Sequence, residues 1–497
     1  MIPTLRPRRG SSLVRPIAAA AAAALLLGAA RPLPAATPQD FGFGQLTING
    51  QPARGTFPLL VVIYELSTAN STRTVLAPGI AAAMDRLIFN TFALPSVSGY
   101  FLENSAAAFA WQRAAVLGPV TFDQTETAAL YAQQSDDDGD GSKESGLDAA
   151  AGFSFLLGVI ARKTGYDFAQ WDANQDGLIT QDELSVIVIG NNSPNGTSRA
   201  GANRPIGGAG LTWAVPGQNV TLRGQIASLD HHASFMTIAH ELSHSLGTTD
   251  VYGPNCFSGG LTLMTCSIFP VDDDRRSYHL DPWHKMRFGW LAPRIVTLGS
   301  GGVATIAAAQ INSGNTTMLL YDPARGTREF FIVEFRSNRV SAGFDHDGNV
   351  GGATGNAVSG MAVWHVDLNL NNSLTYHEGS PARQLGGQAL WNGMTPPLTW
   401  TDGTILPTRF NPIAIVNGGR ELMFEWITAS DTFVDFAWRG TERGTPAEPF
   451  NSIGEAVNAA SHGGTVKFQR AGTSAEAITV TKRLDLVATG GPVTLGR

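Results

Sequence analysis

The chain has 497 residues, of which 43% are hydrophobic, so it can bury a substantial core in more than one domain. Charged residues make up only 15% of the sequence and glycine occurs 56 times, which excludes a disordered protein and favours a loop-rich, β-rich extracellular one. The formal net charge of −7 argues against nucleic-acid binding, and we expect a monomer without a nucleic-acid partner.

Residues 1–36 have the three parts of a secretory signal peptide. Arginines occupy the start, an apolar run extends from Ile17 to Ala30, and small residues lead to Ala36. The apolar run is shorter than the roughly 18–20 residues that a membrane span requires, which argues against the alternative of a membrane anchor. We therefore expect a secreted, extracellular protein.

The predicted elements follow in chain order after a leader or short pro-segment at 37–57. Apolar runs rich in β-branched residues predict strands at 57–66, 116–122 and 184–189, and helical patterns occur at 80–92 and 96–108. Strand-like runs at 318–321, 330–335 and 361–366 then alternate with turns. The sequence thus predicts an α+β fold, with one domain at 58–295 and a β-sandwich at 296–440.

The pattern changes again in the C-terminal segment 441–497. A short helix at 453–460 precedes short strands at 465–468, 477–480 and 484–488, which are separated by glycine turns. This pattern is typical of the first coils of a right-handed parallel β-helix, and a small β-appendage of another kind is the alternative. A β-helix would suggest contact with a cell surface or a glycan.

Residues 240–244 read HELSH, which is an HExxH motif. Side chains four residues apart share one face of a helix, so His240 and His244 can bind one metal ion. Glu241 has the place of the general base in such sites, where zinc activates water for attack on a carbonyl. The sequence therefore predicts one catalytic zinc ion.

The motif continues as HELSHSLGTTD, which makes a chance match far less common than for HExxH alone. Gly247 ends the helix, and the turn that it permits brings Asp250 back as the third ligand. Two histidines and one carboxylate leave a position open for water, as a catalytic site requires. His279 or His284 is the alternative third ligand.

We expect the helix that carries this motif to begin with Asp230 as its N-cap, because apolar residues follow at helical spacing. His231 and His232 come directly after this cap. They lack the spacing of metal ligands on a helix and are interpreted as polar residues at the helix start.

Residues 172–183 read DANQDGLITQDE and have the pattern of an EF-hand calcium loop. Gly177 provides the bend of this loop. The predicted calcium ligands are Asp172, Asn174, Asp176, Leu178 through its carbonyl, and Glu183. Because a strand-like run follows, we expect a calcium loop without the helix–loop–helix of a sensor, and a solvated acidic turn is the alternative.

A second loop earlier in the chain opens with the same pattern and offers the less certain calcium ligands Asp136, Asp138 and Asp140. Its twelfth residue is Leu147, so Glu144 or Asp148 would have to complete the shell. The segment DHDGN at 345–349 is a weaker candidate that a simple turn explains as well. Calcium at these loops would order the chain and take no part in the chemistry.

Cys256 and Cys266 are the only cysteines in the sequence. In an exported protein, an even pair of nearby cysteines most simply forms a disulfide. A CxxC metal motif is absent from the sequence, so we expect no chemistry from cysteine.

The pattern HExxHxxGxxD resembles the motif of the immune inhibitor A peptidases, which are secreted, metzincin-like bacterial zinc enzymes. Segments 96–108, 261–266, 278–295 and 361–367 are similar to this family in the same order. The resemblance implies a metzincin-like zincin domain and a Met-turn at 261–266, with Met264 under the metal and the disulfide bracing the turn. Ordinary core packing is the alternative role for Met264.

These features together predict a calcium-stabilised zinc endopeptidase that acts on a protein or peptide substrate. Tyr252 is a candidate donor to the transition state. A non-catalytic calcium-binding surface or adhesion protein with a structural zinc site is the first alternative, but a structural site has no use for Glu241. A zinc hydrolase that acts on a bond other than a peptide bond is the second alternative.

Overall fold

The computed structural model describes residues 36–496 with gaps at 70, 91–95, 137–140, 193–199, 203–211, 225, 252–261, 265–277, 312–313, 338–358, 371–381, 385–398, 407 and 429–430. The protein is mixed α/β, and residues 37–497 belong to one unit. Among the helices of the described residues, none combines the length and the apolar character that a bilayer crossing needs.

The described α-helices are, in chain order, α1 (Ile80–Phe89), α2 (Val97–Asn104), α3 (Gln124–Tyr131), α4 (Ala150–Thr164), α5 (Phe235–Ser245), α6 (Pro282–Arg287) and α7 (Ile453–Ala459). Helices α1, α2 and α7 confirm the helices predicted at 80–92, 96–108 and 453–460. The sequence patterns do not predict α3 or α4. Most of α4 is buried, so it lacks the polar stripe by which an amphipathic helix is recognised.

The described strands are, in chain order, β1 (Thr47–Ile48), β2 (Gln51–Pro52), β3 (Gly55–Glu65), β4 (Phe109–Thr121), β5 (Gln134–Ser135), β6 (Glu144–Ser145), β7 (Leu178–Ile179), β8 (Ser185–Gly190), β9 (Ala200–Ala202), β10 (Thr212–Ala214), β11 (Thr221–Arg223), β12 (Ala227–Asp230), β13 (Arg294–Thr297), β14 (Gly302–Ala307), β15 (Thr317–Tyr321), β16 (Glu329–Arg336), β17 (Gly360–Asp367), β18 (Ala382–Gln384), β19 (Thr408–Val416), β20 (Glu421–Thr428), β21 (Asp431–Val434), β22 (Thr465–Phe468), β23 (Gly472–Ser474), β24 (Asp485–Ala488) and β25 (Val493–Leu495).

The central sheet of the N-terminal half has the strand order β4-β3-β8-β12-β9. The first four strands are parallel to one another, and β9 runs antiparallel at the edge. Strands β3 and β8 are buried along most of their length because both faces of the sheet are covered, which explains their continuous apolar runs. The predicted strands at 57–66, 116–122 and 184–189 are confirmed as β3, the end of β4, and β8.

Helices cover both faces of this sheet. On one face, Leu60 and Val62 of β3 share a core with Phe153 and Leu157 of α4. Alternate residues of a strand point to opposite faces, and Leu59, Val61 and Ile63 of β3 are also fully buried. Helices α1, α2 and α5 contact further strands of the sheet. Helix α5 contacts both β12 and β9, so it lies at the antiparallel edge of the sheet.

The segment 37–54 packs into the body of the protein. Phe41 is fully buried, and its ring lies 5.0 Å from that of Tyr321 and 5.3 Å from that of Phe330. The Leu46 N–H donates to the carbonyl of Arg287, and the Trp290 indole donates to the carbonyl of Ala53. The segment predicted as a leader therefore joins the end of α6 to strands β15 and β16.

Two further sheets lie within 294–428 and have the orders β13-β15-β16-β17-β18 and β14-β20-β19. They share one hydrophobic core, to which β16 contributes Phe331 and Val333, β19 contributes Phe410 and β20 contributes Phe424. The strands predicted at 318–321, 330–335 and 361–366 are confirmed as β15, β16 and β17.

Parallel strands stack in the C-terminal segment. The order β21-β22-β24 is parallel throughout, and β23 pairs in parallel with β25. Strands β22 and β24 confirm two predicted strands, but the strand predicted at 477–480 is wrong, because the strand lies earlier, at Gly472–Ser474. The partner β25 decides this position, since strand formation depends on cross-strand contacts more than on local propensity. The parallel sheet also begins at β21, before the predicted boundary at 441.

Candidate metal centre

Helix α5 carries both histidines of HExxH and begins later than the sequence predicts. Its N-cap is Ser234, whose hydroxyl accepts a hydrogen bond of 3.2 Å from the N–H of Thr237. The predicted cap, Asp230, is instead the last residue of β12, where it pairs with Gly190 of β8. Asp230 therefore belongs to the sheet, although an aspartate by itself favours the start of a helix.

The side chains of His240, His244 and Asp250 converge on one point. The two Nε2 atoms are 3.2 Å apart, and each is 3.3 Å from Oδ1 of Asp250. In a tetrahedral site whose metal–ligand bonds are roughly 2.0–2.1 Å long, any two ligand atoms lie about 3.3–3.4 Å apart. The three donor atoms therefore have the spacing and the chemistry that a zinc ion requires.

Burial and charge act together in this cluster, whose three side chains are at most 7% exposed. Burial lowers the pKa of His240, but the hydrogen bond with Asp250 and the charge of Glu241 outweigh this effect and raise the pKa to about 8. Burial raises the pKa of Asp250, but the charge of His244 and the hydrogen bonds with both histidines hold it well below its usual range. Asp250 is therefore an ionised carboxylate that faces two imidazoles.

Backbone carbonyls fix the orientation of both imidazoles. Nδ1 of His240 lies 2.8 Å from the carbonyl oxygen of Leu263, and Nδ1 of His244 lies 3.0 Å from that of Thr248. A carbonyl oxygen only accepts hydrogen bonds, so each Nδ1 must carry the proton and donate it. Each Nε2 then faces the cluster, where a bound metal ion would take the place of its proton.

The turn at Gly247 brings Asp250 back to the helix. Gly247 has φ of +94°, the left-handed conformation predicted for it, and its N–H donates to the carbonyl of His244. The N–H of Thr248 donates to the carbonyl of Ser243. A Cβ atom at position 247 would lie 3.4 Å from Leu46, which is an ordinary contact, so the left-handed conformation is what favours glycine.

The two histidines considered as alternative third ligands are engaged elsewhere. Nε2 of His279 is 2.5 Å from Oε1 of Glu103, and its Nδ1 is 2.7 Å from Nζ of Lys285. Nδ1 of His284 is 2.7 Å from Oδ2 of Asp281. The structure thus brings Asp250, and neither of these two histidines, to the HExxH pair.

Met264 lies directly beside the turn that carries Asp250. It is fully buried, its carbonyl accepts from the N–H of Val251, and its sulfur is 3.5 Å from Oγ1 of Thr248. It therefore supports the segment that carries Asp250, a structural place that fits both roles considered for it. Cys256, Cys266 and Tyr252 lie outside the described residues.

Several residues that hold this site are missed by the sequence analysis. Asp281 caps α6 and accepts a hydrogen bond of 3.0 Å from Thr262, which fixes the turn that contains Leu263. The amide of Asn104 accepts from the N–H of Leu280, and Nε2 of His284 accepts from the N–H of Thr249. The one sequence signal is the Asp-Pro pair at the start of α6, which is typical of a helix N-terminus.

The predicted calcium loop 172–183 closes on its first and last carboxylates. Asp172 accepts hydrogen bonds from the N–H groups of Asp176 and Gly177. Glu183 accepts from the N–H groups of Ala173 at 3.2 Å and Thr180 at 2.8 Å. The first and twelfth residues of the loop therefore both direct their carboxylates to backbone N–H groups within the loop, and these are positions from which a calcium loop takes ligands.

The earlier acidic loop repeats part of this geometry. Asp136 accepts a hydrogen bond of 3.2 Å from the N–H of Gly141, which is the same offset as from Asp172 to Gly177. The loop lies between α3 and α4, and the short strands β5 and β6 pair across it. Asp138, Asp140 and the DHDGN segment lie outside the described residues.

Comparison with known proteins adds no relative to this picture. No family model matches the chain, and a search of curated proteins found no match. The function of the centre must therefore be argued from its own geometry and chemistry.

Proposed function

We propose that this protein is a secreted zinc-dependent endopeptidase. The observation that carries the proposal is the convergence of His240, His244 and Asp250, whose three donor atoms lie 3.2–3.3 Å apart. Glu241 is buried on the same helix, and its charge acts on His240. A purely structural zinc site gives no reason for a buried acid at this position.

His240, His244 and Asp250 would hold the zinc ion. When bound in such a site, zinc acidifies water and polarises a carbonyl oxygen. Glu241 accepts the proton of the attacking water and passes it to the nitrogen of the leaving amine. The carbonyls of Leu263 and Thr248 keep both imidazoles oriented while this proton moves.

The edge of the central sheet favours an extended peptide as substrate. Among the described strands, β9 is the edge strand next to β12, and α5 contacts both of them. An edge strand offers backbone N–H and carbonyl groups to which an extended peptide can pair. This placement supports a peptide bond as the target more than a small ester.

The fold that we propose is a metzincin-like zincin domain at 58–295, a β-sandwich at 296–440 and the start of a right-handed β-helix at 441–497. The five-stranded sheet with an antiparallel edge and the similarity of HELSHSLGTTD to the immune inhibitor A peptidases support the first assignment. The shared core of two sheets supports the second, and the parallel stacking of β22 and β24 supports the third.

We also propose that calcium binds the loop 172–183, and that the loop opened by Asp136 binds a second ion. Carboxylate and carbonyl oxygens are the ligands that calcium prefers. Calcium there would order loops beside α4 and leave the chemistry to the zinc site.

The test is hydrolysis of a denatured protein by the mature chain and by Glu241→Gln, with bound zinc quantified in both. Loss of a general base is expected to lower kcat by about 10²–10⁴-fold. Zinc content should stay unchanged, because Glu241 is no ligand. Glu448→Gln, which changes a surface ion pair with Arg443, is the matched control and should cleave like the parent.

Equal cleavage by the parent and Glu241→Gln would contradict the proposal. Zinc in both proteins with cleavage in neither would favour a non-catalytic surface protein. Hydrolysis of an ester but no protein would favour the other zinc hydrolase considered above.

A further inference from the structure

Asp230, His231 and His232 form a second cluster of metal-ligating side chains, at the carboxyl end of β12. One ligand atom from each residue lies within 4.8 Å of the other two. Nδ1 of His231 is 3.3 Å from Oδ1 of Asp230, and Nδ1 of His232 is 2.8 Å from the same oxygen. This cluster shares no residue with the HExxH centre, and it suggests a further role for His231 and His232, which the sequence interprets as polar residues at the helix start.

The backbone explains why two consecutive histidines turn to the same carboxylate. Asp230 ends the ladder with Gly190, and the N–H of His231 still donates to the Gly190 carbonyl. The chain then turns, with the N–H of Ala233 donating to the carbonyl of Asp230. The two imidazole rings lie 3.7 Å apart between their centroids, so the turn holds both beside Asp230.

His231 gives an independent sign that the cluster accepts a ligand. Its side chain is 8% exposed, and its Nδ1 makes no hydrogen bond with a described residue, although Oδ1 of Asp230 lies 3.3 Å away. Its Nε2 is 3.5 Å from Oγ1 of Thr74. Buried polar nitrogens without a hydrogen bond are rare because they are unfavourable, and a bound ion is one of their recognised explanations.

The donor set selects the class of ion. Two imidazoles and one carboxylate suit zinc and neighbouring transition metals, whereas calcium and magnesium prefer oxygen ligands. The side chain of His232 is 45% exposed, so solvent reaches the cluster and water can complete the shell.

We propose that Asp230, His231 and His232 bind a second divalent transition-metal ion of the zinc class. The ion joins the end of β12 to the turn that precedes α5. It therefore steadies the start of the helix that carries the HExxH histidines, without taking part in the reaction at that site.

The test counts zinc ions per chain in the untagged mature protein, after dialysis against zinc with calcium in excess. Three variants are compared with the parent: His231→Gln with His232→Gln, His240→Ala with His244→Ala, and His462→Gln. We expect two equivalents in the parent, one in each double variant and two in His462→Gln, a histidine that pairs with Glu425 elsewhere. The single variant His232→Gln changes a half-exposed side chain and should weaken the second equivalent at least tenfold.

The outcomes separate this inference from the proposed function. If His231→Gln with His232→Gln keeps as many equivalents as the parent, the second site is overturned. If the parent binds one zinc equivalent and only His240→Ala with His244→Ala loses it, the second site is also overturned. The peptidase proposal then remains intact. If the parent binds one zinc equivalent and only His231→Gln with His232→Gln loses it, the second site is supported. Zinc binding at the HExxH site is then overturned.

Discussion

Asp250 is the residue on which the composition of the metal centre depends. From sequence alone, its position in HELSHSLGTTD competes with His279 and His284 for the third ligand place. The structure pairs His279 with Glu103 and Lys285, and His284 with Asp281, while Asp250 lies 3.3 Å from both Nε2 atoms. This division of partners favours Asp250 as the third ligand of the proposed zinc site.

Replacing Asp250 by alanine should weaken zinc binding at the HExxH site by more than the 10–100-fold typical of outer-shell changes, because a direct donor is removed. Zinc content after dialysis is expected to fall by one equivalent. His279→Gln is the control, since that side chain pairs with Glu103 and Lys285, and it should retain its zinc if circular dichroism reports a folded chain. Retention of zinc in Asp250→Ala but loss in His279→Gln would reverse the assignment.

Among the separate elements, the loop 172–183 is the one that a bound ion should affect most. Its carboxylates accept hydrogen bonds from backbone N–H groups, and β7, which lies within the loop, pairs in parallel with β11. An ion in the loop would therefore act on the packing of β11 as well as on the loop.

Calcium at about 100 times its dissociation constant should stabilise the chain by about 2.7 kcal/mol, since only the folded loop binds it. The check is thermal unfolding with and without calcium at constant zinc. Glu183→Gln removes the twelfth-position carboxylate and should lose most of this stabilisation. Asp485→Asn, an exposed change in β24, should keep it, and equal calcium responses in the parent and Glu183→Gln would contradict the assignment.

The segment 37–54 is an element whose importance only its packing reveals. Phe41 is fully buried between Tyr321 and Phe330, so Phe41→Ala should lower the free energy of unfolding by about 3–5 kcal/mol. Denaturant unfolding measures this loss. Val75→Ala, at a side chain that is 68% exposed, should change it by less than about 0.5 kcal/mol. A similar small effect for Phe41→Ala would mean that the segment packs loosely in solution.

For the whole molecule, Glu425 of β20 links the sheets to the C-terminal strands. Its carboxylate contacts His462 at 3.0 Å and Arg483 at 2.8 Å. Burial raises the pKa of Glu425, but the hydrogen bonds with His462 and Asn411 and the charge of Arg483 outweigh it and lower the pKa below 4.5. Because the pKa of Glu425 is lower in the folded chain than in the unfolded chain, the stabilisation from its charge is complete above pH 4.5. It is lost as the pH falls through the pKa of the folded state.

Glu425→Gln should therefore loosen the C-terminal strands at neutral pH but not in acid. Amide hydrogen exchange of 465–488 is expected to be faster in the variant than in the parent near pH 7. The difference, corrected for intrinsic exchange, should shrink as pH falls below about 4. A difference that stays constant into acid would mean that the charge of Glu425 is not what holds these strands.

The sequence by itself determined the local patterns with strict spacing. His240, Glu241 and His244 follow from helical periodicity, Gly247 from the left-handed turn, and β3, β8 and β16 from continuous apolar runs. These features depend on neighbours within a few residues, so a linear sequence contains them.

Only the tertiary structure decided which distant groups meet. It moved Asp230 from a helix cap to the end of β12, placed the strand at Gly472–Ser474 rather than at 477–480, and paired His279 with Glu103. It also brought Leu263 to His240, and Asp230 to two histidines that lack ligand spacing on a helix. Each of these outcomes depends on a partner far along the chain or on the path of a turn, and no local propensity encodes either.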